Sequence, residues 1–183
     1  MEFADIAADI EDVLFSPEEL AGIVARLAAE VHADYAGRDL LLVGVLKGAA
    51  PFMTDLARSL PRHVELDWMA VSSYGAGTQS SGVVRILKDL DADITGRHVL
   101  IAEDIIDSGL TLSWLKDNLE ARGAASVAIC ALLRKPEAMK VQVDARYVGA
   151  DIPNRFVVGY GLDYAERYRN LRGIAVLAPH VYS

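Results

Sequence analysis

The feature that most constrains the fold is a set of short, almost wholly apolar runs: LLLVGV from Leu40, VELDWMAV from Val64, GVVRIL from Gly82, HVLIAE from His98, SVAICALL from Ser126 and FVVGY from Phe156. Such runs read as strands buried on both faces rather than half-exposed ones. Helical spacing marks three further stretches. Ser16 can cap a helix with Pro17 at its first position and Glu19 three residues after the cap; Leu20, Ile23, Val24, Leu27 and Val31 follow, which predicts a helix to about Tyr35. Pro51 to Leu60 and Leu110 to Arg122 complete the set, the latter closed by Gly123 as a C-cap. Apolar strands alternating with helices imply an α/β fold with a central, mostly parallel sheet flanked by helices.

At 183 residues the chain can bury one core without disulfides, and no repeat or low-complexity tract divides it. A single domain over residues 1–183 is expected, with a core at about 36–134 and a small hood from the N-terminal segment and about 135–183. Ser72 to Ser81, SSYGAGTQSS, is small, polar and glycine-bearing, and reads as a mobile loop. The lone Cys130 lies in an apolar run and reads as structural, with no second cysteine to pair with. A net charge of -8 argues against nucleic acid or an acidic membrane surface as the main partner, since both need a basic field. No apolar run approaches the roughly 18–20 residues of a bilayer span. MEFADIAADIEDVLF carries acids where a signal peptide carries basic residues, so a cytoplasmic protein is expected. A phosphate ligand would need a local device.

HVLIAEDIIDSGLTL, His98 to Leu112, contains one. A buried strand runs into Glu103-Asp104, then a short turn, then a helix, and in a parallel sheet such a strand end lies at the ligand-binding edge. Asp107, Ser108, Gly109, Leu110 and Thr111 offer backbone N–H groups, two hydroxyls and the positive end of a helix, a cradle for one phosphate. Two carboxylates before it would repel a bare polyphosphate but suit ribose hydroxyls or a bound magnesium. Ribose 5-phosphate satisfies all of these groups. With Leu110 where a Walker lysine would stand, a nucleotide triphosphatase is excluded. Acids that merely cap a helix would explain Asp107 but not Glu103-Asp104.

Two acids at a strand end followed by D-[ST]-G-x-T resembles the phosphoribosyltransferase family, over Val99 to Thr111. The wider resemblance is to its hypoxanthine-guanine branch, through LKGA at Leu46, VSSYG at Val71, RILKDLD at Arg85, LLRKP at Leu132 and FVVGYGLDYAERYRNL at Phe156. The resemblance implies the type I phosphoribosyltransferase fold, magnesium as cofactor and a homodimer or homotetramer. The ligands it implies are phosphoribosyl pyrophosphate, hypoxanthine, guanine, IMP, GMP and pyrophosphate. Spacing alone leaves Lys47-Gly48 equally an anion loop or an ordinary strand-to-helix turn; the resemblance makes it the pyrophosphate loop, with a cis peptide before Lys47. By itself Lys135 reads as a surface lysine and Phe156 as a core aromatic. By resemblance Lys135 donates to the purine's exocyclic oxygen, Phe156 stacks on the base, and the Val157 backbone reads its edge. Asp163 then lies near base and magnesium, Glu103 and Asp104 take ribose hydroxyls and metal, and Arg169 takes pyrophosphate.

Asp107 is placed to accept the N7 proton as N9 attacks, and Ser73 and Tyr74 to close over the centre against water. Asp89, Asp91 and Asp93 alternate as in a calcium loop, but Ile94 replaces its glycine, so they read as solvated turn residues. Leu171-Arg172-Gly173 and GAGTQ depart from the commonest family forms, where Pro-Tyr and GNGTE stand. Two rivals remain at this point: a regulatory sensor of the same fold that binds RNA, which would need a basic face, and a phosphoribosyltransferase for xanthine, adenine or uracil, against which only Lys135 and the FVVGY segment speak.

Overall fold

In the computed structural model, which describes residues 1–73 and 84–182, nine strands and four α-helices follow in chain order among those residues. They are β1 (Ile10–Phe15), α1 (Pro17–Asp34), β2 (Leu40–Leu46), α2 (Ala50–Ser59), β3 (Glu65–Ser73), β4 (Val84–Lys88), β5 (His98–Ile106), α3 (Leu110–Ala121), β6 (Ser126–Arg134), β7 (Tyr147–Asp151), β8 (Val157–Val158), β9 (Ile174–Leu177) and α4 (Pro179–Tyr182). The large sheet has the order β4-β3-β2-β5-β6-β7, with every neighbour parallel except β3 and β4.

Alternate residues of the apolar runs serve opposite faces. Leu40, Leu42, Leu100 and Leu132 join Leu20, Val24 and Leu27 of α1 and Phe52, Met53 and Leu56 of α2. Leu41, Val43, Val99, Ile101 and Ile129 join Leu112, Leu115 and Leu119 of α3. Each such side chain gains about 1.5–3 kcal/mol on leaving water, which is why continuous apolar strands occur only inside such a sandwich. The start of α1 has the reciprocal cap: Glu19 N–H donates to Ser16 Oγ at 3.2 Å and Ser16 N–H to Glu19 Oε2 at 2.8 Å.

A second, antiparallel sheet, β1-β9-β8, joins both ends of the chain. Periodicity did not mark β1, β7 or β9. Glu11 and Asp12 make β1 look like a solvated stretch, but Arg155 pairs with both, at 2.7 and 3.5 Å. The boundary expected near residue 135 does not separate the sheets, because β7 is an edge strand of the large one. Only Val157 and Val158 of FVVGY are strand; the chain then turns through Gly159 (φ 103°), Tyr160 (φ 49°) and Gly161 (φ 101°). At Gly173 a Cβ would lie 2.5 Å from the Phe15 carbonyl, backbone that cannot swing aside.

The aspartates after β4 are held from β3. Asp67, 5% exposed, accepts from Trp68 N–H at 2.7 Å, Asp91 N–H at 2.8 Å and Ala92 N–H at 3.0 Å. Burial alone would push its carboxyl up, but the three N–H groups and Lys88 outweigh it and hold the carboxyl below the usual range. Asp89 pairs with Arg122, Asp91 with Lys88, and Asp93 accepts from Thr95. A depressed folded-state pKa adds stability above the unfolded value, and that stability is lost as pH falls through the folded one. Asp67→Ala should therefore cost roughly 1–3 kcal/mol at neutral pH. In urea unfolding the gap from the parent should narrow below about pH 3.9; equal midpoints at neutral pH would remove Asp67 from this role.

Burial also pushes the Cys130 thiol far above its ordinary value, consistent with a structural residue. No helix among the described residues is long and apolar enough to cross a membrane.

Candidate active site

The parallel strands β2, β5 and β6 end at one edge, and their ends carry the polar groups. β5 delivers Glu103 and Asp104 and runs into the turn Asp107-Ser108-Gly109, from which α3 departs. Gly109 is left-handed (φ 78°) and gives the helix no side-chain cap; Leu110 N–H donates weakly to Ser108 Oγ at 3.4 Å, a long bond that an anion at the opening turn would compete for. A Cβ on Gly109 would lie 2.6 Å from the Val141 carbonyl, while Lys140 and Val141 N–H donate to the Ser108 carbonyl at 3.0 and 3.2 Å. The turn is thus clamped from outside. A cavity of about 270 Å³ lies over it, lined among others by Val45, Glu103, Asp107, Ser108, Gly109 and Thr111. A larger one of about 670 Å³ between α1, α2 and Tyr160–Arg172 has neither Glu103 nor the start of α3 in its lining; chemistry, not volume, singles out the smaller.

Burial, and then the neighbouring Asp104, pushes the Glu103 carboxyl well above the ordinary carboxylate range, and its Oε2 has no hydrogen-bond partner. Asp104 is pushed up to about 6, chiefly by burial, although Ile105 N–H donates to it at 2.8 Å. Two crowded carboxylates, one with an orphaned oxygen, are poorly satisfied alone and suit ribose hydroxyls or a hard cation. Among the described residues no group of three or more His, Cys, Asp or Glu side chains is arranged to hold a metal. A magnesium ion here would need oxygens from substrate and water, which is its usual mode.

The turn after β2 faces these acids. The Leu46–Lys47 peptide is cis. Gly48 packs so closely on Asp104 that a Cβ there would sit 1.8 Å from Oδ2, and a Cβ on Gly161 would sit 2.0 Å from the Gly48 carbonyl. Three segments far apart in sequence are stacked where no side chain fits between them. Beyond them Arg169 pairs with Asp163 at 2.9 Å and donates to the Gly161 carbonyl at 2.8 Å. Glu166, which the sequence did not single out, contacts both Arg169 and Lys47. Arg169 first, then Lys47, holds its carboxyl below the ordinary range. Its spacing of three from Arg169 was legible; its contact across 119 residues to Lys47 was not.

Lys135 leaves the end of β6 and is buried, with 7% exposure, yet its ammonium lies 3.1 Å from Asp107 Oδ2. It is no free surface lysine. Phe156 is 39% exposed; Tyr182 stacks on it at 5.1 Å between centroids and Tyr164 meets it edge-on at 5.7 Å. Val157 is buried and pairs with Val176. The Ser73 backbone ends β3 opposite Val84; Tyr74 lies outside the described residues.

A parallel sheet with two acids at a strand end, an uncapped helix start beyond them and a facing lysine turn defines a phosphoribosyltransferase, and the family model for the phosphoribosyl transferase domain matches residues 12–165. The hypoxanthine-guanine phosphoribosyltransferase of Mycobacterium tuberculosis is 57% identical over 180 residues, covering 95% of this chain and 89% of that protein. That of Streptococcus agalactiae is 53% identical over 175 residues, covering 96% and 97%. A crystal structure of a hypoxanthine phosphoribosyltransferase from Staphylococcus aureus superposes with a TM-score of 0.95 at 46% identity, covering 98% of this chain and 97% of that one. The chain belongs to the hypoxanthine-guanine phosphoribosyltransferase family.

Proposed function

We propose that the protein transfers the 5-phosphoribosyl group from phosphoribosyl pyrophosphate to hypoxanthine or guanine, giving IMP or GMP and pyrophosphate in purine salvage. The carrying observation is the Lys135–Asp107 pair at 3.1 Å beside the phosphate turn. An ammonium has only donors and a carboxylate only acceptors. A 6-oxopurine offers their complement side by side: O6 to accept from Lys135 and, in the N7–H tautomer, a proton for Asp107. The base would exchange one ion pair for two hydrogen bonds and leave neither group unpaired.

In this reading the 5′-phosphate lies in the Asp107-Ser108-Gly109-Leu110-Thr111 turn, against backbone N–H groups and the helix dipole. Glu103 and Asp104 hold the ribose hydroxyls, and their negative charge favours the positive charge that builds on the ring as pyrophosphate leaves. Lys47, Gly48 and Arg169 take the pyrophosphate. Asp107 accepts the N7 proton while N9 bonds to C1 of the ribose. Phe156 offers a ring face to the base, Val157 its backbone, and Ser73 and Tyr74 exclude water. Glu103, Asp104 and Asp163 form no preassembled cluster, so magnesium would be held by oxygens of substrate and water with these carboxylates as its protein partners; when bound it neutralises charge on the leaving pyrophosphate. We assign the small sheet and the chain after Lys135, except β7, to a hood over this edge, in a homodimer or homotetramer.

The test is pyrophosphate release across a panel of bases. Hypoxanthine and guanine should support turnover, and adenine and uracil should lag far behind; xanthine shares the 6-oxo group and N7 proton and is not separated from them by this pair. No release with any base, or equal rates with adenine, would overturn the assignment.

A further inference from the structure

Glu166 stands where the two cations assigned to pyrophosphate meet. Its Oε2 lies 3.2 Å from Lys47 Nζ and its Oε1 3.3 Å from Arg169 Nη2, while Arg169 Nε reaches Oε2 at 3.4 Å. An ammonium and a guanidinium fork closed on two oxygens is also the donor set that grips a phosphoryl group. The side chains of Lys47 and Glu166 are largely in water, 67% and 63% exposed, so their pairing adds little to stability. Yet the backbone adopts a rare shape to present it. Ala165, Glu166 and Tyr168 are all left-handed, at φ 50°, 61° and 72°, where side-chain-bearing residues are uncommon and such conformations collect at functional sites. The turn is pinned from within: Glu166 N–H donates to Asp163 Oδ2 at 2.9 Å, and Asp163 itself pairs with Arg169.

We propose that Glu166 is a built-in stand-in for pyrophosphate: its carboxylate occupies Lys47 and Arg169 in the empty site and is displaced when the substrate's pyrophosphate binds. The inference rests on the assignment of Lys47 and Arg169 made above. The same donors cannot serve carboxylate and pyrophosphate together, so binding forfeits the Glu166 pairs and leaves its charge beside an anion. Release of product pyrophosphate is favoured to the same extent, because the carboxylate closes on the cations again. A purely structural Glu166, one that holds the cations ready for the ligand, predicts the opposite sign.

Calorimetry on the full chain decides between them, with magnesium and inorganic pyrophosphate as one ligand and GMP as the other, for the parent, Glu166→Gln and Glu166→Ala. Both variants should bind pyrophosphate about two- to twentyfold more tightly, the scale of one or two exposed ion pairs no longer broken. The gain should shrink as salt is raised. GMP, whose single phosphate goes to the Asp107–Thr111 turn, should change by less than about twofold, since the lost charge faces the pyrophosphate cations and is screened from the nucleotide. Unchanged or weaker pyrophosphate binding in Glu166→Gln, or a loss in Glu166→Ala alone, overturns the stand-in role while GMP binding leaves the enzyme assignment in place. A parent that binds neither ligand overturns both.

Discussion

Asp107→Asn is expected to lower kcat by about 10²–10⁴-fold, the usual contribution of a general base, while changing the affinity for phosphoribosyl pyrophosphate far less. The amide keeps the size of the side chain and leaves the backbone cradle of Ser108, Gly109 and α3 intact, since that cradle is clamped through the Ser108 carbonyl and the Gly109 contact with Val141. What it loses is the capacity to accept a proton. It also loses the charge opposite Lys135, which is buried. An unpaired buried cation carries a penalty of its own, so thermal unfolding must accompany the kinetics. Single-turnover rates with hypoxanthine, together with calorimetric binding of phosphoribosyl pyrophosphate, separate chemistry from binding. Turnover equal to the parent's in a folded variant would eliminate Asp107 as the base.

The second large effect concerns base choice. Lys135 meets the 6-oxo group of hypoxanthine or guanine as donor to acceptor, but the 6-amino group of adenine as donor to donor. A buried donor left unpaired costs roughly 1–3 kcal/mol, more when charged, and a site built on such a bond can reject the wrong partner by ~10⁴-fold or more. Adenine should therefore be a very poor substrate. Lys135→Ala should lose much of kcat/KM for hypoxanthine and guanine, and with it most of the discrimination against adenine. The exposed ring face of Phe156, backed by Tyr182 and Tyr164, should preserve some affinity for the base. The measurement is kcat/KM for the three bases in both proteins. Full efficiency and selectivity in the variant would assign base reading to another residue.

Much of this was legible from residues alone, for reasons that are local. Apolar runs at Leu40, His98 and Ser126 can be nothing but strands covered on both faces, because each residue gains by leaving water, and they form the middle of the sheet. Ser16 and Glu19 mark a helix start through bonds only three residues long. The phosphate turn is likewise contiguous, so strand, acids, glycine and helix announce it together. β1 and β7 were not legible, since their pairing and, for β1, the charge balance come from residues elsewhere in the chain, such as Arg155 against Glu11; β9, four buried apolar residues, carries the same local signal in a shorter run. Tertiary structure alone decided that Lys135 is buried against Asp107, that Gly161, Gly48 and Asp104 stack without room for a side chain, and that Glu166 closes on Lys47. A short sequence interval can encode backbone preference, periodicity and caps; which charge meets which across 28 or 119 residues depends on how the strand ends and loops are brought to one edge.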